Sequence, residues 1–236
     1  MNVVITGASR GIGKAVAEIF AANGYNLYLG SRNEVALYKT TEELVTRFPA
    51  VTIKAKPFDL SKKEQAKEFG IWCLGFDVPD ILVNNAGSFE PGSIHDEPDG
   101  TLESQIGTNL YSAYHLTRTL LPAMMKNPSV DPGRHIFNMC SIASLHAYNN
   151  GGAYSISKFA LYGFSKNLRE EMKPHGIKVT SVHPGAVMTD SWSGFDNSSK
   201  RIMEAADIAK MIFASSQLSP QACVEDIIIR PQLGDL

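Results

Sequence analysis

Seven short runs rich in Val, Ile and Leu recur along the chain at residues 3–6, 26–30, 51–56, 81–84, 135–139, 178–183 and 227–230, and none of them reads as an alternation of polarity. A strand with one face in water alternates, whereas a strand covered on both faces does not. Between the runs lie stretches of helical periodicity, at about residues 11–23, 34–48, 62–74, 102–126 and 153–173, the first closed by Gly24 as a C-terminal cap. Repeated strand–helix alternation implies right-handed crossovers. The expected fold is therefore α/β, a doubly wound parallel sheet of seven strands with helices on both faces. No repeat, linker or low-complexity segment divides the chain, so residues 1–236 are expected to form a single domain.

Composition narrows the functional classes. With 44% apolar and 19% charged residues the chain reads as globular, and a net charge of −2 gives no basic excess for nucleic acid or an anionic membrane. There is no apolar run long enough to span a bilayer, which takes about 18 residues. Val3-Val4-Ile5 runs directly into Thr6-Gly7, so the first residues read as a core strand and not as a leader. Cys73, Cys140 and Cys223 are far apart and odd in number, which suits a reducing compartment, and a cytoplasmic location is expected. The six histidines show no metal-ligand spacing, so no metal is expected.

The first strand leads into Gly7-Ala8-Ser9-Arg10-Gly11-Ile12-Gly13, which opens the first helix. Glycines there permit a tight turn and close approach of a pyrophosphate to a helix N-terminus. Alone, the G-x-x-x-G-x-G spacing separates a dinucleotide site from an ordinary Gly-rich turn only weakly; its place after strand one adds the weight. The second strand ends Leu29-Gly30-Ser31-Arg32, with no acid to bind the ribose hydroxyl of NAD. Ser31, Arg32 and Arg10 instead offer a hydroxyl and two guanidinium groups, a pocket for the 2′-phosphate of NADP unless both arginines are simply solvated.

Tyr154 and Lys158 are four apart in an expected helix and share a face. An ammonium beside a phenol favours phenolate and is expected to lower the tyrosine from its usual value near 10. Such a pair arises often by chance. Here Ser141 follows the strand at 135–139, in the crevice at the carboxyl end of the sheet, Asn84-Asn85-Ala86-Gly87 follows another strand end, and Asn109 lies in the long helix beyond.

With TGASRGIG (residues 6–13), Asp59-Leu60, NNAG (84–87), Asn109, Ser141, YSISK (154–158) and PGAVMT (184–189) in this order, the chain resembles the short-chain dehydrogenase/reductase family over almost its whole length. The resemblance implies a Rossmann-type, NADP(H)-binding oxidoreductase acting on a carbonyl/alcohol pair. It implies that Tyr154 is the proton donor, that Ser141 holds the substrate oxygen, and that Lys158 binds the nicotinamide ribose and lowers the tyrosine pKa. Asn109 would hold a water that relays protons to Lys158. The cofactor would be bound by Gly7, Ser9, Arg10, Gly11, Ile12 and Gly13, by Ser31 and Arg32, by Asp59 and Leu60 at the adenine, by Asn85, Ala86 and Gly87, and by Pro184, Gly185, Val187 and Thr189 around the nicotinamide. A homodimer or homotetramer paired through the two long helices is likewise implied, with Leu116, Leu120, Leu161 and Phe164 fitting either a core or an interface.

Phe89, Ala143, Leu145, His146, Tyr148, Met188, Trp192 and Phe195 form the candidate substrate pocket, largely apolar and aromatic. A small aromatic or diketone substrate is expected. The PGAVMTDSW stretch and the C-terminal segment are similar to bacterial proteins of the sepiapterin reductase type; in the animal enzymes of that type an acid near the C-terminus anchors the pterin, a role Asp235 would take here unless it is simply solvated. Reduction of a 3-oxoacyl thioester competes, although Lys and Arg are scattered and form no patch for a carrier protein. A non-catalytic dinucleotide-binding sensor or scaffold is the alternative of another class, disfavoured by the presence of both Tyr154 and Lys158. Cys140, beside Ser141, reads as a buried small hydrophobe more readily than as a redox thiol.

Overall fold

The computed structural model describes residues 1–126, 132–189, 192 and 194–234. The strands are β1 (Asn2–Thr6), β2 (Asn26–Ser31), β3 (Ile53–Pro57), β4 (Ile81–Asn84), β5 (Arg134–Met139), β6 (Ile177–Pro184) and β7 (Asp226–Ile229). They form one sheet in the order β3-β2-β1-β4-β5-β6-β7, with every pairing parallel. The helices are α1 (Gly11–Ala22), α2 (Glu34–Arg47), α3 (Lys63–Leu74), α4 (Thr101–Ile106), α5 (Ser112–Lys126), α6 (Gly152–Met172) and α7 (Ala205–Ser216).

Successive side chains of a strand point to opposite faces, and here both faces are covered. Val3, Ile5, Leu27, Leu29, Ile81 and Val83 pack with Val16 and Phe20 of α1, Leu37 of α2 and Ile208 and Ile212 of α7. Val4, Tyr28, Leu82, Ile136 and Val179 pack on the other side with Phe69 of α3, Leu116 of α5 and Leu168 of α6. Leu116 and Leu120 are fully buried and Leu161 nearly so, which assigns them to the core and not to an interface. From β1 the chain winds outward to β3, then returns to β4 and winds outward to β7. The crossovers part between β1 and β4, and a crevice opens there at the carboxyl ends of the strands.

Three elements depart from expectation. The strand in the run at 51–56 does alternate: Ile53 and Ala55 are half-buried while Lys54 and Lys56 are exposed. As an edge strand β3 has one face covered, and its two lysines lie over the Phe76 and Phe58 rings. The helix expected at 102–126 is interrupted by a π-helical turn at Gly107–Tyr111, which carries Asn109 inward to burial. Helix α7 is additional. Its signals were the reciprocal cap between Glu204 and Asp207 and the apolar spacing of Ile208, Ala209 and Ile212.

Candidate active site

Thr6 ends β1, and its hydroxyl accepts the backbone N–H groups of Asn85 (2.9 Å) and Ala86 (2.8 Å), which ties the ends of β1 and β4 together. Asn85 Nδ2 donates back to the carbonyls of Thr6 (2.9 Å) and Gly7 (3.2 Å). Gly7 has φ +65° and Gly11 φ +53°, conformations that side chains resist. A Cβ on Gly13 would fall 2.2 Å from the Gly7 carbonyl oxygen, so α1 packs against the turn only because that atom is missing. Arg10, at the N-cap of α1, is extended and gives no side-chain cap, leaving the first N–H groups of the helix for another partner. Beside the turn, Ser9 Oγ and Ser31 Oγ are 3.0 Å apart, and Arg10 and Arg32 are exposed.

Asp59 has a local role: its Oδ1 accepts from the hydroxyl of Ser61 (2.7 Å) and from the Ser61 N–H (3.2 Å). The Leu60 side chain belongs to the core beneath, so only its backbone is left to face a ligand.

Ser141 follows β5 at the N-cap of a short 3-10 turn; its hydroxyl accepts from Ala143 N (3.2 Å) and lies beside the Tyr154 hydroxyl. Tyr154 lies in the first turn of α6, with its ring edge-on to Phe89 at 4.8 Å. Lys158, one turn later and buried, donates from Nζ to the Met139 carbonyl (2.8 Å) and lies 5.8 Å from the Tyr154 ring centre. The ordering of these two pKa values departs from expectation. Burial pushes Tyr154 up to about 12 despite the opposing effect of the neighbouring Ser141 hydroxyl, and burial pushes Lys158 down to about 8. The ammonium is anchored to a carbonyl and itself desolvated, so the tyrosine is not lowered. Cys140 is buried, and burial raises its thiol to about 12, which makes it an unreactive neighbour.

Asn109 is held on all sides: Nδ2 donates to Ser88 O (3.1 Å), Gln105 Oε1 (3.0 Å) and Ser157 Oγ (2.8 Å), and Oδ1 accepts from Ser88 N (2.9 Å). Ser157 in turn donates to the Tyr154 carbonyl (2.7 Å). The Asn109 side chain thus braces the first turn of α6.

Several supporting residues escaped the sequence. Ser144 Oγ donates to the Ser141 carbonyl and meets His183 Nδ1 (2.9 Å), while His183 Nε2 lies 3.3 Å from Asp226 Oδ1. Glu97 accepts the Ala153 N–H (2.9 Å), capping α6 one residue before Tyr154. Arg230, one residue past β7, also lines the cavity. Apart from the local Ser144–Ser141 bond, these contacts join segments far apart in the chain, and no local pattern announces them.

Ser141, Tyr154 and Lys158 border a cavity of about 580 Å³. Phe89, Ala143, His146, Tyr148 and Trp192 line it beside Ser141, Tyr154 and Lys158, together with Ile12, Asn85, Gly87, Pro184, Gly185, Val187 and Thr189. Phe195 is outside the lining but meets Trp192 edge-on at 5.4 Å, and Leu145 and Met188 are likewise outside it. Asp235 lies outside the described residues. Among the described residues no helix is long and apolar enough to cross a membrane, and no group of three His, Cys, Asp or Glu could hold a metal ion.

The family model described as short chain dehydrogenase matches residues 1–199. An uncharacterised oxidoreductase of Staphylococcus aureus is 28% identical over 229 residues, 97% of this chain and 96% of that protein. An alcohol dehydrogenase from the archaeon Thermococcus sibiricus, solved with 5-hydroxy-NADP, is 27% identical with a TM-score of 0.89, covering 98% of this chain and 96% of the other. A metagenomic short-chain oxidoreductase solved with NADP is 28% identical with a TM-score of 0.83, covering 98% and 97%.

Proposed function

From the premise that the chain belongs to the short-chain dehydrogenase family and is an oxidoreductase, we propose that it interconverts a small carbonyl compound and its alcohol with NADP(H). The observation that carries this reading is that Ser141, Tyr154 and Lys158 stand together on the wall of one cavity with Ile12 of the glycine turn.

The residues fit the dinucleotide. The turn around Gly7, Ser9, Gly11, Ile12 and Gly13 has no room for a side chain at Gly13, and the uncapped start of α1 suits a pyrophosphate. The paired hydroxyls of Ser9 and Ser31, with Arg10 and Arg32 exposed alongside and no acid ending β2, suit a 2′-phosphate. Asn85, Ala86, Gly87, Pro184, Gly185, Val187 and Thr189 would flank the remainder, with Asp59 and the Leu60 backbone near the adenine. Bound NADPH supplies the hydride.

In the reducing direction Ser141 Oγ holds the substrate oxygen and Tyr154 gives it a proton. A tyrosine held at about 12 is fully protonated at neutral pH, as a donor must be. Lys158, close to half-charged near pH 8, is suited to restore that proton and to hold the nicotinamide ribose. Phe89, Tyr148 and Trp192 give the cavity an apolar, aromatic wall, which favours an aromatic or similarly apolar substrate body. A homodimer or homotetramer in the cytoplasm belongs to the same reading, supported by the exposed Tyr111, Ile156 and Phe159 on the π-turn and α6.

The test is NADPH consumption with a panel of aromatic and aliphatic ketones, diketones and a 3-oxoacyl thioester, using Tyr154→Phe as control. Turnover that disappears in the variant, with NADPH still bound, supports the reading. Turnover that survives it removes Tyr154 from the chemistry.

A further inference from the structure

We propose that Asn150 and Glu97 decide which carbonyl compounds reach Tyr154: they clamp the loop between β4 and α4 onto the start of α6, and the clamp holds Phe89 against the tyrosine ring as a limit on substrate size. The proposal rests on the reductase reading above and adds a specificity device to that site.

The loop, residues 85–100, contains turns but no helix or strand. Its path therefore depends on the bonds it makes to neighbouring segments. At the near end Ser88 is fixed to Asn109 through its N–H (2.9 Å) and carbonyl (3.1 Å), and its hydroxyl accepts from Gln105 (3.0 Å). In the middle Gly92 N donates to the Asn150 carbonyl (3.0 Å), and Ser93 Oγ donates to Asn150 Oδ1 (2.6 Å). Glu97 Oε1 then accepts the Ala153 N–H (2.9 Å). Only residues 89–91 lie between the first two anchors, and Pro91 has its φ fixed by its ring. Phe89 is left little choice of position. Its ring stands edge-on to Tyr154 at 4.8 Å while the residue is 41% exposed, so it covers the tyrosine and is not itself part of the core.

The start of α6 accommodates the loop residue by residue. Its N-cap, Gly151, gives no side-chain cap, and Ala153 is buried, so the Glu97 carboxylate supplies the acceptor that the Ala153 N–H would otherwise lack. Gly152 has φ +32°, and a Cβ there would fall 2.1 Å from Glu97 Oε1 and 2.5 Å from the Gly92 carbonyl oxygen. Asn150 has φ +61°, a left-handed conformation that asparagine tolerates better than most residues. Held so, it offers both its backbone and its side-chain oxygen to the loop. The seam thus runs through the residues just before Tyr154, and it joins the Phe89 wall and the tyrosine into one unit.

The experiment measures kcat/KM with NADPH for acetophenone and for the bulkier 2-acetylnaphthalene. The proteins are the wild type, Ser93→Ala, Asn150→Gly, Glu97→Gln and Glu97→Ala, each also on a Phe89→Ala background. Asn150→Gly keeps the left-handed backbone and its carbonyl and removes only the bond from Ser93. Glu97→Gln keeps an oxygen for the Ala153 N–H, and Glu97→Ala does not. The bulky-to-small ratio should rise about 2–10-fold in Ser93→Ala, Asn150→Gly and Glu97→Ala, the factor that one net hydrogen bond represents, and stay near the wild-type value in Glu97→Gln. Ser93→Ala combined with Asn150→Gly should match either single variant. Phe89→Ala alone should raise the ratio and abolish the effect of the clamp variants. A weakened fold lowers kcat for both ketones alike and leaves the ratio where it was. A ratio that the clamp variants do not move, or that they move equally without Phe89, overturns the proposal while the reductase reading stands. If neither ketone turns over, ultraviolet titration decides it, the difference between each protein and its Tyr154→Phe counterpart isolating the one phenol. Ionisation of Tyr154 that begins at lower pH in the clamp variants, as in Phe89→Ala, supports the clamp, and an unmoved onset overturns it. NADPH binding and thermal unfolding verify the fold of each variant.

Discussion

The same chemical change, Gly to Ala, is expected to have opposite signs at two helical positions of this chain. At Gly13, in the first turn of α1, the added methyl falls 2.2 Å from the Gly7 oxygen, 2.6 Å from Asn85 Nδ2 and 2.8 Å from the Gly7 carbonyl carbon. Two of these three atoms are backbone, and the Asn85 amide is fixed by its bonds to the Thr6 and Gly7 carbonyls. Relief requires α1 to withdraw from the turn by roughly an ångström. Overpacking of this kind costs about 1–3 kcal/mol, against about 0.5–1 kcal/mol gained from replacing a helical glycine. At Gly163, inside α6, nothing lies within 4 Å of the added methyl, and only the gain remains. Gly13→Ala should therefore lose about 1–2 kcal/mol, a fall of roughly 2–8 °C in Tm for a chain of this size, and Gly163→Ala should gain about 0.5–1 kcal/mol. Thermal and urea unfolding read the stabilities, and NADPH fluorescence titration reads the turn. Displacing α1 should weaken NADPH at least tenfold in Gly13→Ala and leave it unchanged in Gly163→Ala. Equal stability of Gly13→Ala and wild type, with NADPH bound equally well, would refute the account of the turn as a close-packed cradle.

Arg32→Asp should weaken NADPH about 10–100-fold while NADH changes little, because the new carboxylate repels a 2′-phosphate and accepts from a ribose hydroxyl; parallel titrations check it, and equal losses would remove the 2′-phosphate assignment. Lys158 has a folded pKa near 8 against an ordinary 10.5, so its charge costs stability at low pH. Stability from this group is complete above pH 10.5 and is lost as pH falls through 8. Unfolding curves of wild type and Lys158→Met from pH 7 to pH 10 should show the wild type gaining relative to the variant as pH rises, and a pH-independent difference would contradict the burial of a titrating ammonium. Ser144→Ala removes the hydroxyl between the Ser141 carbonyl and His183. It should cost about 1–3 kcal/mol of stability and lower kcat more than it raises KM, and unchanged kcat would show that Ser141 needs no such support.

The parts of this protein legible in its sequence are those whose signal is local. Strand β1, the glycine turn and the start of α1 occupy twelve consecutive residues, Asn2 to Gly13, and each step follows from its neighbours: an apolar run, glycines with positive φ, a helix. Tyr154 and Lys158 are one helical turn apart, so their shared face was also local. What the sequence did not disclose depends on distance in the chain. Ser141 is positioned through Ser144, which is held in turn by His183 and Asp226, and Tyr154 through Ser157, which is held by Asn109, with Glu97 capping the helix; the links to His183, Asp226, Asn109 and Glu97 are pairs that only the assembled fold brings together. The tyrosine pKa shows the same limit in energetic form. Four-residue spacing places an ammonium near a phenol, and Coulomb's law then lowers the phenol; spacing does not report that both groups are desolvated and that the ammonium is turned to the Met139 carbonyl. Burial then dominates: Tyr154 stands above its ordinary value and Lys158 below its own, the ordering that the proposed reductase role, with Tyr154 as proton donor, calls for.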